Sequence, residues 1–158
     1  DLVGPSNLVT LLNTIPPYWA AGLNQMVRQI GGDHRTEEGR KFLESRSPLT
    51  KTAEIKRPLL IGQGANDPRV KQAESDQIVK AMQDKSIPVS YVLFPDEGHG
   101  FARPENRKAF NAVAEAFLAK HLGGEYEPIG DDFQKSSITA PAGVEGVPGL
   151  GDALSTKK

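Results

Sequence analysis

Two short apolar runs constrain this chain more than anything else in it: Pro58-Leu59-Leu60-Ile61-Gly62-Gln63-Gly64 and Val89-Ser90-Tyr91-Val92-Leu93-Phe94-Pro95. Both are bounded by Pro and Gly and rich in strand-favouring residues, so each reads as a buried strand. Between them Val70, Ala73, Ile78, Ala81 and Met82 mostly recur at three- and four-residue steps among polar residues, the pattern of an amphipathic helix. Strand, crossover helix and second strand favour parallel pairing with a right-handed crossover, which brings both strand ends to one edge of the sheet. Asp67 follows the first strand and His99 the second, so both face one crevice. Open α/β sheets take their ligands in such a crevice.

A carboxylate and then a histidine, each in a loop after a strand, form the second half of the order Ser, Asp, His used by α/β-hydrolases. The first member is absent, since no Gly-x-Ser-x-Gly occurs in the sequence. Ser45 and Ser47 lack flanking glycines and a strand-to-helix elbow, and are poor nucleophiles. Asp67 also has a local alternative, because Asn66-Asp67-Pro68 looks like a helix start with a capping side chain and Pro in the first turn. On spacing alone capping ranks above catalysis. Gly98 and Gly100 around His99 allow unusual backbone angles, which aim an imidazole or simply make a turn.

The residues resemble a known family. Gly64-Ala65-Asn66-Asp67-Pro68-Arg69-Val70 is similar to the Asp-x-Arg-Val segment of the prolyl oligopeptidase family of serine peptidases, and Glu97-Gly98-His99-Gly100-Phe101 resembles its histidine loop. The likeness runs from about Asp1 to the helix end near Leu122, and it reverses the ranking at Asp67. It implies an α/β fold, the carboxyl-terminal half of an α/β-hydrolase with a mostly parallel sheet flanked by helices. By the same resemblance Asp67 and His99 are catalytic, Arg69 hydrogen-bonds a substrate carbonyl, and Val70 walls the same pocket. A surface helix-start residue is the alternative for Arg69. Aromatics like Trp19 and Tyr18 line the family's pocket for the side chain before the cut bond. Ordinary core packing competes, preferred for Tyr18 and evenly balanced for Trp19.

Composition narrows the partners. Net charge is −1, from 19 basic and 20 acidic residues that are interspersed, so nucleic acid is not an expected partner. No cysteine is present, which rules out a thiol nucleophile and thiolate metal sites within these 158 residues. No run approaches the roughly 18 apolar residues of a membrane span. His34 beside Asp33 is read as a solvated loop residue, no metal site is expected, and Gly62-Gln63-Gly64 is too short for a dinucleotide fingerprint, so no cofactor is expected.

Along the chain, Asp1 to Val3 reads as the tail of a strand, Leu8 to Ile15 and Gln25 to Ile30 as short helices, and Thr36 onward as another ending before Ser47-Pro48. Pro104 suits a first helical position. Phe110, Val113, Ala114, Phe117, Leu118 and His121 then form a stripe expected to pack on the sheet, with His121 near the helix's carboxyl end and Gly123-Gly124 as the stop. Residues 1–123 are expected to form part of the peptidase catalytic domain, and 124–158 an irregular tail that wraps the domain or stays mobile.

The opening Asp1-Leu2-Val3-Gly4 reads as the middle of something longer. The resemblance implies an upstream part carrying the nucleophilic Ser and a propeller domain, a peptide substrate, and, at family level, export to the periplasm or beyond. Without that upstream part the two strands and one remnant should expose a long pairing edge, and the 158 residues alone should neither fold stably nor turn over peptides. Three functions stay open: a serine peptidase acting on short peptides, an esterase or other acyl hydrolase of the same fold, and a non-catalytic binding module in which Asp67 caps a helix.

Overall fold

The computed structural model describes residues 1–157. Helices α1 (Leu8–Asn13), α2 (Leu23–Ile30) and α3 (Glu37–Arg46) precede strand β1 (Leu59–Gly64), helix α4 (Gln72–Gln83), strand β2 (Val89–Phe94) and helix α5 (Pro104–Leu122). Strand β3 (Thr139–Ala142) and helix α6 (Leu150–Thr156) follow. The chain thus forms a mixed sheet flanked by helices, part of an α/β-hydrolase fold, as expected.

Strands β1 and β2 pair in parallel, from Leu59 opposite Val89 to Gly64 opposite Phe94. Because side chains alternate across a strand, Leu60, Val92 and Phe94 face one side and Ile61, Val89 and Tyr91 the other. The first set packs with Ala109, Val113, Ala116 and Phe117 of α5, the second with Ile78, Val79 and Met82 of α4. Near-continuous apolar strands are what a sheet covered on both faces requires. Asp1 to Val3 lies beside β1 as a parallel bridge, with Val3 N–H donating to Gly62 O at 2.9 Å.

The structure departs from the expected α5 stripe. Leu118 is 50 % exposed, while Asn106 and Ala109 are fully buried, so the inward face is set by Asn106, Ala109, Val113, Ala116 and Phe117. His121 is exposed and packs its ring on Phe117, and the helix ends where Gly123 takes φ +82°. Tyr18 also differs: at 65 % exposure it is not a core residue. His34 is the reverse case, for its side chain keeps only 10 % exposure.

The largest correction concerns 124–158. Far from being wholly irregular, this segment contributes β3, which pairs antiparallel with β2, and α6. Phe133, Ile138, Val147, Leu150 and Ala153 from it join the core on the α5 side. The expected open edge is therefore covered on the β2 side. Pro141 within β3 is tolerated because an edge strand need not donate on its outer side.

Tyr91 ties β2 to α4, its hydroxyl donating to Asp76 Oδ1 at 3.1 Å. Burial, then the Asp76 carboxylate, pushes the Tyr91 phenol above its ordinary value. A raised folded value favours the neutral phenol, so this contribution is complete below the unfolded value of about 10 and is lost as pH rises past it. The stability of the domain is accordingly expected to fall from about pH 9.5 upward, and Tyr91→Phe to flatten that decline in urea midpoints. Parallel declines in both proteins would contradict this.

Candidate active site

The carboxyl ends of β1 and β2 each turn into a loop, and main-chain hydrogen bonds join the two loops. Ala65 N–H donates to Phe94 O at 3.0 Å, Asn66 N–H to Glu97 O at 2.9 Å, and the Asn66 side-chain amide to Pro95 O at 2.8 Å. Gly64 is required here, because a Cβ at that position would lie 2.3 Å from Gly98 O. Beneath the first loop Gln63 is fully buried, its amide donating to Gly64 O and Val70 O at 3.0 and 3.1 Å while its carbonyl accepts from Ser75 at 2.9 Å. A buried side-chain amide with its groups partnered fixes the loop's path without an uncompensated polar atom.

Asp67 uses its two oxygens differently. Oδ1 accepts the N–H groups of Arg69 and Val70 at 2.8 and 2.9 Å, and Oδ2 lies 2.8 Å from His99 Nδ1. The Asp67 side chain is fully buried, whereas that of His99 keeps 32 % exposure. A carboxylate only accepts, so Nδ1 carries the proton toward Asp67 and Nε2 is the nitrogen left to exchange a proton. The capping alternative survives in altered form. Asp67 closes a turn, but α4 begins only at Gln72 after Lys71, without a capping side chain.

Arg69 is exposed, and its guanidinium carbon stands 5.6 Å from the centre of the Trp19 ring, within cation–π range. Trp19 is half-buried and meets Tyr18 edge-on at 6.2 Å. Together with Gly22, Gln25, Met26 and Gln29 these aromatics line an open concavity of about 460 Å³. The structure therefore brings Arg69 and Trp19 together beside the acid loop. Val70 is instead buried, 6 % exposed, with its N–H committed to Asp67.

Among the described residues no serine hydroxyl hydrogen-bonds to His99, and no group of three or more His, Cys, Asp or Glu could hold a metal. Ser47, a poor nucleophile from its sequence context, is fully buried and donates to Leu43 O at 2.7 Å. Sequence reasoning missed Gln63 and the buried surroundings of Glu97. A lone polar residue inside an apolar strand was the available signal for the first. For the second the partners lie in helix α5 and beyond, out of reach of any local pattern.

Comparison with known proteins follows the same residues. The profile of the prolyl oligopeptidase family matches residues 22–125. Dipeptidyl aminopeptidase BIII of Pseudoxanthomonas mexicana is 70 % identical over 154 residues, 98 % of this chain and 22 % of that protein. Dipeptidyl peptidase family member 6 of Caenorhabditis elegans is 48 % identical over 147 residues, 92 % of this chain and 20 % of its own. The chain thus spans about a fifth of the length of these curated relatives. Among solved structures, a Mycobacterium tuberculosis puromycin-hydrolyzing peptidase superposes with a TM-score of 0.69 at 28 % identity, over 82 % of this chain and 18 % of that one.

Proposed function

The chain belongs to the prolyl oligopeptidase family, and on that premise we propose that Asp67 and His99 are the acid and base of a serine peptidase whose nucleophile lies outside these 158 residues. The observation that carries the reading is the 2.8 Å contact between Asp67 Oδ2 and His99 Nδ1, at the carboxyl ends of adjacent parallel strands. It leaves Nε2 to take the proton of a serine hydroxyl as the oxygen attacks the peptide carbonyl carbon. Collapse of the tetrahedral adduct breaks the C–N bond, and the imidazolium returns its proton to the departing amine. Water then repeats the cycle on the acyl-enzyme. Asp67 holds the imidazole tautomer and stabilises its charged form in a dry setting.

Arg69 is assigned to a substrate carbonyl, since its planar fork suits such an acceptor and stacking on Trp19 restrains it. Trp19 and Tyr18 would line the adjoining side-chain pocket, while Val70 is buried and would support the Asp67 loop through its N–H. The names of the two relatives, a dipeptidyl aminopeptidase and a dipeptidyl peptidase family member, support the choice of substrate class. A short peptide with a free amino terminus is the proposed substrate.

Assay of the full-length protein on dipeptide anilides and on simple short-chain esters tests this. Turnover of the anilides with release of intact dipeptide is expected. Ester cleavage without any anilide cleavage would replace the peptidase reading by a general acyl hydrolase.

A further inference from the structure

Neither His99 nor its two neighbours can set the position of the imidazole. Gly98 and Gly100 flank it, and glycine constrains its own backbone least; Gly100 lies at φ +93°. What fixes the ring must act from outside this glycine-flanked tip, and the packing shows two anchors. Phe101 is one, wedged between the Phe94 and Phe110 rings at 4.2 and 5.3 Å. Glu97 is the other.

The Glu97 residue is 2 % exposed. Its Oε2 accepts Ala102 N–H at 2.8 Å, and its Oε1 accepts Arg103 N–H at 2.9 Å and the Asn106 amide at 2.7 Å. These bonds close residues 97 to 103 into a ring of chain with His99 near its apex. Among the described residues no cation pairs with this buried carboxylate. The Arg103 guanidinium reaches instead to Asp96, and the donors to Glu97 are all neutral N–H groups. A buried carboxylate is costly unless several such bonds replace its water, so the arrangement is specific rather than incidental.

Meanwhile the Glu97 carbonyl accepts Asn66 N–H at 2.9 Å, one residue before Asp67. Glu97 is thus bonded to the acid's loop through its main chain and to the far end of the imidazole's loop through its side chain. Asn106, fully buried, secures the second attachment, its own oxygen accepting Ser136 Oγ and Ser137 N–H at 3.0 and 2.9 Å.

We infer that Glu97 is a positioning residue for His99: by closing the histidine loop and bonding to the Asp67 loop, it sets the distance between acid and imidazole. The inference rests on the reading of His99 as the base. Glu97→Gln keeps size but turns a donor toward the Ala102 or Arg103 amide, and Glu97→Asp keeps charge but shortens the reach.

In the full-length protein either variant is expected to lower kcat on a dipeptide anilide by about 10- to 100-fold, with KM within about threefold, because misplacement by roughly an ångström costs rate rather than binding. Hydrogen exchange of the amides at 98–103 should quicken while exchange in β1 and β2 stays as in the parent. His99→Ala is measured alongside. A kcat within threefold of the parent in both Glu97 variants, with His99→Ala inactive, would overturn the positioning role and leave the base intact. An active His99→Ala would remove the base and the positioning role together. Loss of folding in both Glu97 variants, or exchange quickening across the whole domain, would make Glu97 a requirement of the fold and would also overturn the inference.

Discussion

Replacing His99 by alanine in the full-length protein is expected to lower kcat on a dipeptide anilide by roughly 10⁴- to 10⁶-fold, with KM little changed. Among the described residues the imidazole is the only group bonded to Oδ2 of Asp67, and with it goes the nitrogen that would accept the serine proton. Folding should survive. The side chain is 32 % exposed and its ring makes that one hydrogen bond, so its removal opens no sealed core cavity. A variant that keeps more than a tenth of the parent's rate would take His99 out of the mechanism.

Asp67→Asn should cost roughly 10⁴-fold in kcat, through the tautomer rather than the fold. Asp67 Oδ1 accepts two backbone N–H groups, and an asparagine oxygen would serve them equally well. That orientation points the new NH₂ at His99 Nδ1, which must then accept, so the ring proton sits on Nε2 and leaves no lone pair there to take the serine proton. The opposite orientation keeps the productive tautomer but sets the NH₂ against the Arg69 and Val70 donors, leaving the buried Val70 N–H unpaired at about 1–3 kcal/mol. Either way activity falls, and the first way leaves stability nearly unchanged. Asp67→Asn with parent-like kcat would show that the contact with His99 is structural only.

Much of this site was legible because it depends on residues that carry their own local signals. The two strands announce themselves by composition, and strand-helix-strand topology alone brings residues 67 and 99 to one edge. That their side chains meet was implied by the family resemblance, since spacing alone favours capping at Asp67. The 124–158 segment gave no such signal. Its core residues Phe133, Ile138, Val147, Leu150 and Ala153 fall at steps of no fixed period, and Pro141 argues against a strand until its place at the sheet edge is known. Leu118 differs for a related reason: the inward face of α5 includes Asn106, a polar residue that hydropathy counts as outward, so the apolar stripe in the sequence runs further round the helix than the buried face does. At Asp67 the two competing readings proved compatible, one oxygen closing a turn and the other meeting the imidazole.

The central claim is that the paired Asp67 and His99 activate a serine that these 158 residues do not contain. Labelling the full-length protein with a fluorophosphonate and mapping the modified residue by mass spectrometry tests it most directly. A single labelled serine before Asp1, flanked by glycines, with labelling suppressed at least a hundredfold by His99→Ala, is the expected result. Label on a serine within this sequence, or labelling at the parent's rate when His99 is absent, would contradict it.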